Sequence, residues 1–263
     1  QAASAAATAT AAPAVVATTA PAKSSGPESE VVRAIRRVES IYGVAYTGPY
    51  RGSGHQQAGG VDESMFIFEN GDPMSPRLAT SWDVDPAGTK VTIGIQEGVK
   101  LNPPRGQEGL DFGNFTAEDA VLWLNTGNST TNPESTYPDA GDFAAVFLEA
   151  KVVDEYTLEI GLVSPTFFCL PISQFGCLGA ARGPYFASGV DIMGLDWAQA
   201  NAVGTGPFVQ GLCIPGDRCT THALDSHWRH TASIASSQVI QVPEPLARVA
   251  MLRNGQADMA EID

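Results

Sequence analysis

A mixed α/β fold is what this sequence predicts, on three observations. Apolar residues that alternate with polar ones, such as Val91, Ile93 and Ile95, mark strands. Capped stretches with helical spacing, such as FTAEDAVLWLN at 115–125, mark helices. The two kinds of segment are interspersed along the chain rather than separated into halves, which is the α/β pattern. A chain of 263 residues, 43% hydrophobic and 17% charged, is long enough for a sizeable core in one or two domains. Its charge is lopsided, with 29 acidic residues against 15 basic and a net charge of −14. A nucleic-acid partner would need a basic patch, and the sequence holds none. No run of about 18 apolar residues is present to span a bilayer.

Taken in order, residues 1–27 (QAASAAATATAAPAVVATTAPAKSSGP) contain no aromatic residue and a single charge, Lys23. Such a segment cannot bury enough apolar area to offset its ordering entropy, so it reads as a disordered Ala/Thr/Pro-rich tether suited to hydroxyl-linked glycans. The folded part, 28–263, begins with acidic Glu28 and Glu30 ahead of Val31, Ile35, Val38 and Tyr42, which recur at helical spacing and predict a first helix. The Gly-rich loop at 46–60, YTGPYRGSGHQQAGG, is too long for a tight connection; it reads either as ligand-contacting, with Tyr50 and His55 as its candidates, or as simply mobile.

SWDVDPAGTKVTIGI predicts a hairpin turned by Pro86-Ala87-Gly88. Asp83 and Asp85 resemble the start of a calcium loop, but position twelve of that loop would be Gly94, where a Glu is required. The helix at 115–125 has Thr116 as cap, Asp119 to complete a capping box, and Ala120, Val121 and Leu124 as its apolar face. A second hairpin runs from Val146 and Leu148 through VDEY to the alternating Tyr156, Leu158, Ile160 and Leu162. Residues 245–253 read as a helix stopped by Asn254-Gly255. Glycosylation sequons begin at Asn114 and Asn128, a short pattern that recurs by chance.

The four cysteines fall in two close pairs, Cys169 with Cys177 and Cys213 with Cys219, and predict two local disulfides formed in an oxidising compartment. CIPGDRC carries a turn at its centre that lets Cys213 and Cys219 face each other. Four reduced, buried thiols are the alternative; a zinc site is disfavoured because neither pair has C-x-x-C spacing.

NAVGTGPFVQGL, residues 201–212, holds a glycine-rich loop that invites comparison with a phosphate cradle. It lacks the Lys of a P-loop and the third Gly of a dinucleotide fingerprint, and Pro207 removes a donor such a site would use. No G-x-S-x-G, S-x-x-K or H-E-x-x-H occurs, so no enzyme chemistry is supported. His227 and His230 in SHWRH stand three apart, as a metal pair on a helix would, but no third ligand is near and a structural use beside Trp228 is the favoured reading. No catalytic residue, metal or cofactor is assigned.

Five segments, in order from Pro76 to Ile262, resemble the extracellular solute-binding proteins of peptide-type ABC importers, family 5. PRLATSWDVDPAGTKVTIGIQEGVKL is similar to that family's "P-x-LA-x-SW", turn, strand and "REGVKF". FTAEDAVLWL is similar to "TAEDVVFSL", VVDEYTLEIGLVSP to "VVDDYTV", NAVGTGPF to "NPVGTGPY", and LARVAMLRNGQADMAEI to "RLAALQSGEIDIA". Gln96 replaces the arginine of "REGVKF", Ala202 replaces a proline, and the cysteines lie outside the family pattern.

The resemblance implies the N-terminal lobe of a class II periplasmic-binding-protein-like fold, with the second lobe missing from this chain. It implies binding of a small molecule or oligopeptide between two lobes and delivery to an ABC permease. It also implies a secreted, periplasmic or cell-surface protein, membrane-tethered and of the lipoprotein kind, although Gln1 is not the lipid-bearing Cys that such a protein keeps. Gly204, Gly206 and Pro207 become an architectural corner, in which the glycines let the chain turn sharply and Pro207 sets the exit angle. A structural or accessory subunit of a surface assembly, reusing the lobe without transport, is the second reading.

Overall fold

The structure is a computed structural model that describes residues 29–38, 60–69, 72–135, 140–165, 193, 194, 197 and 200–262. The segment expected to form the first helix is instead a strand, β1 (Glu30–Ile35). Its neighbours explain the difference. β1 lies between β10 (Ser236–Gln241) and β11 (Met259–Ala260) and is parallel to both. A strand paired on both edges buries consecutive Ala34 and Ile35, which no helical stripe would do, and the β-branched Val31, Val32 and Ile35 suit it. The spacing of Val31, Ile35 and Val38 matches a helix by coincidence, and sheet pairing overrides it.

The sheet continues through two antiparallel partners, β9 (Arg218–Ala223) and β8 (Phe208–Ile214), giving the order β11-β1-β10-β9-β8. The β8–β9 hairpin turns at Gly216, whose φ of 80° suits glycine. Cys213 and Cys219 are register partners across this hairpin and form a disulfide. Cys169 and Cys177 lie outside the described residues, as do Tyr50, His55 and residues 1–27, the segment expected to be a tether.

A second sheet has the order β4-β5-β7-β6, built from β4 (Ala79–Val84), β5 (Lys90–Ile95), β6 (Phe147–Asp154) and β7 (Thr157–Leu162). The β4–β5 hairpin forms where the sequence places it. Asp85 organises its turn, its carboxylate accepting the N–H groups of Thr89 (2.6 Å) and Lys90 (2.7 Å); those hydrogen bonds, Lys90's first, hold its pKa below the usual carboxylate range. The side chain that resembled a calcium ligand is thus a turn-former. Strands β2 (Phe66–Glu69) and β3 (Asp72–Pro76) pair as a separate ribbon.

The larger core lies between the second sheet and two helices, α1 (Ala117–Gly127) and α2 (Ala140–Val146). Val91, Ile93, Ile95, Leu158 and Ile160 are almost wholly buried in it, each stabilising by about 1.5–3 kcal/mol. On α1, Trp123 joins Ala120 and Leu124 on the buried face while Val121 is only partly covered. In the second hairpin Phe147 and Ala150 point inward and Leu148 outward, whereas the sequence reading set Leu148 among the strand's apolar positions. A bulge between Phe147 and Ala150 shifts that alternation. A smaller core of Ile35, Val38, Val61, Ala202, Cys219 and Val239 backs the first sheet.

From β10 the chain enters α3 (Pro245–Arg253), with Pro245 at its first turn, and returns as β11 on the far side of β1. Gly255, at a φ of 67°, ends the helix.

Candidate functional site

Three parallel strands, β11-β1-β10, end together at Ala260, Ile35 and Gln241. In open α/β sheets the ligand crevice lies outside such carboxyl ends. The chain leaves this edge at Val38 and returns at Gly60, and both points are pinned. The Val38 N–H donates to Gln241 Oε1 (2.8 Å) and its carbonyl accepts from the Gly216 N–H (2.8 Å). On the return, the Gly60 carbonyl accepts from Phe208 N–H (3.0 Å) and the Val61 carbonyl from Gly206 N–H (2.8 Å). Both stems of the intervening segment are therefore fixed to the first sheet.

The corner at Gly204–Pro207 supplies the second pin, for a reason other than the sharp turn expected from its glycines. Neither Gly204 nor Gly206 sits at positive φ. What demands glycine is backbone against backbone: a Cβ on Gly204 would lie 2.0 Å from the Val61 carbonyl oxygen, and one on Gly206 would lie 2.1 Å from that of Gly60. The other side of the corner pairs with Asn102, whose N–H donates to the Gly204 carbonyl (2.8 Å). The Pro207 carbonyl accepts from Leu224 N–H (2.9 Å).

A buried carboxylate locks the same junction. Glu63, 3% exposed, accepts from Trp228 Nε1 (2.9 Å) and from an Arg229 guanidinium nitrogen (2.8 Å). His227 Nε2 stands 2.8 Å from the Thr205 carbonyl, so that nitrogen carries the proton and donates, and it lies 3.6 Å from Glu63. The opposite nitrogen, Nδ1, faces the N–H groups of Arg229 and His230. The SHWRH stretch is not helical, and its first histidine is spent on backbone contacts. Among the described residues no three His, Cys, Asp or Glu are placed to hold a metal ion.

At the carboxyl edge itself, Arg36 and Arg37 follow β1 and are exposed. The Arg36 N–H donates to Glu261 Oε2 (2.8 Å). Arg248 of α3 is fully buried, its guanidinium donating to the carbonyls of Val242 (2.9 Å), Pro243 (2.8 Å) and Glu261 (2.6 Å). It thereby caps the carbonyls just past the ends of β10 and β11.

The sequence reading located the corner but missed Glu63, the Trp228-Arg229 pair that holds it, and Arg248. A lone Glu between apolar Val61 and Met65 was the one signal for the first. Asn128, second of the sequons, is 1% exposed, with its side-chain nitrogen donating to the Phe147 carbonyl, so the folded chain offers no glycan site there.

The solved structures that this arrangement resembles are binding proteins. An ABC transporter-associated periplasmic binding protein, DppA from Helicobacter pylori in complex with peptide STSA, matches at a TM-score of 0.72 and 20% identity, over 88% of this chain and 46% of that one. NikZ from Campylobacter jejuni, in complex with Ni(L-His), matches at a TM-score of 0.65 and 20% identity, over 89% and 43%. The fold is thus that of a periplasmic binding protein, in the part that one lobe occupies.

The family follows from sequence: the family model for bacterial extracellular solute-binding proteins, family 5 (middle), matches residues 73–263, and the chain belongs to that family. Heme-binding protein A of Haemophilus influenzae is 23% identical over 193 residues, covering 71% of this chain. The chain spans about a third of that relative's length, the shared part being 35% of it. No helix among the described residues is long and apolar enough to cross a membrane.

Proposed function

We propose that this chain supplies one wall of a cleft that traps a small solute outside the cytoplasm and delivers it to an ABC-type permease. The observation that carries the reading is the shared carboxyl edge of β11, β1 and β10, with both stems of the 39–59 segment pinned beside it. A rigid sheet edge that presents a long loop is how α/β folds place ligand contacts. Tyr50 and His55 belong to the Gly-rich stretch 46–60 that the sequence reads as a loop, and they are the proposed ligand contacts. The solute is read as peptide-like from the five peptide-importer segments, and the DppA complex with a peptide supports that class. Trapping would proceed by closure of a second lobe over the first, a hinge movement.

Isothermal titration with a peptide mixture tests the reading, comparing the full-length protein with the 263-residue chain alone. The whole protein is expected to bind saturably. The single lobe is expected to bind weakly or not at all, because a small-solute pocket buries most of its ligand and one wall leaves a face in water. Tight binding by the lobe alone would sink the half-cleft reading, and no binding by the full-length protein would sink the peptide class.

A further inference from the structure

We infer that the Cys213–Cys219 disulfide is a clasp that positions the carboxyl edge of the parallel triplet, by holding Val38, the residue at which the chain leaves that edge. Its consequence for binding rests on the solute-binding reading; the clasp itself rests on the geometry of one hairpin tip.

Three hydrogen bonds close a ring around Val38. Its carbonyl accepts from the Gly216 N–H (2.8 Å), and its own N–H donates to Gln241 Oε1 (2.8 Å). The Gln241 N–H in turn donates to the Asp217 carbonyl (2.7 Å). Two of the three bonds are thus made by the tip of the β8–β9 hairpin, and Gln241 ties that tip to the end of β10. Val38 is buried in the smaller core with Ile35, Val239 and Cys219, against which Cys213 packs. Displacing the tip would open the ring and free Val38 from both its partners.

The β8 side of the tip is weakly held by its own ladder. Among the described residues β8 is an outermost strand, with β9 its one strand partner. The register shifts between Gln210 and Cys213, so regular pairing is interrupted just before the tip. Leu212 and Ile214 there are exposed and gain little from burial, and the Thr220 hydroxyl crosses to the Leu212 carbonyl in a single exposed bond (3.1 Å). Beyond Cys213 only the Ile214–Arg218 pair precedes the turn. The β9 side, by contrast, is held to β10 through the pairs Cys219–Val239 and Arg218–Ile240. The disulfide joins the loose side to the anchored one, with Gly216 midway between its ends. Cys213 and Cys219 act on Val38 through Gly216 and Asp217, and so are positioning residues rather than ligand contacts.

Residue-resolved amide exchange of the full-length protein tests the clasp without any ligand. In the Cys213→Ser/Cys219→Ser double variant, the amides of Val38, Gly216 and Gln241 should gain about tenfold or more in rate relative to those of Val91 and Ile93 in the second sheet. Ile160→Val weakens the other core and is the control: it lowers stability as a whole and should not raise that ratio. Acceleration of all five amides by one factor, or none at the three, would mean that the bridge acts only through the unfolded chain, and the clasp would be overturned. Should the Ser pair fail to fold, the same ratio is read in the parent protein before and after reduction by dithiothreitol. That reagent's two thiols are oxidised to a cyclic disulfide while Cys213 and Cys219 each gain a proton and an electron. A ratio unchanged by reduction overturns the clasp as well.

Isothermal titration of the full-length protein with the peptide mixture reads the consequence. The double variant should bind about tenfold more weakly, because a loosened edge must be ordered again on binding, and Ile160→Val should bind as the parent does. Faster exchange at Val38 with undiminished peptide affinity would overturn the positioning role. A full-length parent that binds no peptide would remove the peptide reading, while the exchange ratio would still decide the clasp.

Discussion

One methyl group is enough to test the corner. Gly206→Ala would set a Cβ about 2.1 Å from the Gly60 carbonyl oxygen, backbone that cannot swing aside as a side chain does. Chemical denaturation should show a loss of about 3 kcal/mol or more, in the range of overpacked cores. Gly109→Ala is the matched control, because open space surrounds that position and its loss should stay within about 0.5 kcal/mol. Glu63 poses a charge problem at the same junction. Glu63→Gln keeps the shape but leaves Arg229 without its carboxylate and His227 without its negative neighbour. Because the Arg229 side chain retains 28% exposure, solvent screens part of the loss, and about 1–3 kcal/mol is expected. A variant as stable as the parent in urea would show that Glu63 does not lock the junction at Gly60 and Val61.

Among the elements, α1 carries a pH dependence at its first turn. Burial lifts the Asp119 carboxyl to about 6, against the pull of hydrogen bonds from the Thr116 N–H (2.9 Å) and hydroxyl (3.2 Å). The unfolded chain gives up that proton near the ordinary Asp value, about 3.9. Between about pH 4 and pH 6 the folded form therefore holds more protons, and this group's contribution to stability falls as pH rises through the window. Asp119→Asn removes the titration and keeps an acceptor for Thr116. The stability of the parent relative to this variant should decline by on the order of 2 kcal/mol from pH 4 to pH 7. A pH-independent difference would contradict the burial argument. The β8–β9 hairpin gives a second element-level test. Its disulfide closes a short loop, a sequence separation of 6, so the pair Cys213→Ser and Cys219→Ser should cost about 2 kcal/mol by loop-closure entropy. Unchanged thermal unfolding would show that the bridge does not restrict the unfolded chain enough to stabilise the fold.

For the whole molecule, the expectation that can be read without the second lobe concerns the chain before the fold. Residues 1–27 are proposed as a tether that holds the lobe away from a surface, on their lack of aromatic side chains and near absence of charge. Amide exchange should run at unprotected rates throughout this segment, while β1, β9 and β10 exchange slowly. Slow exchange within 1–27 would refute the tether.

What the sequence determined by itself was local. The turn of the β4–β5 hairpin, the cap of α1, the stop after α3 and the facing of Cys213 with Cys219 depend on residues within a few positions of one another, so their chemistry is legible in order. Family membership was legible for the same reason, as five short segments in sequence. Tertiary structure decided the rest. β1 reads as a helix until β10 and β11, some two hundred residues away in sequence, pair with both its edges. Gly204 and Gly206 show only that glycine is present; that the neighbouring backbone forbids a Cβ needs Gly60 and Val61 in place. Glu63 gains its role only when Trp228 and Arg229 arrive from 165 and 166 residues along the chain. Contacts of that range leave no period in the sequence, because their free energy comes from burial and pairing that exist only once the chain has folded.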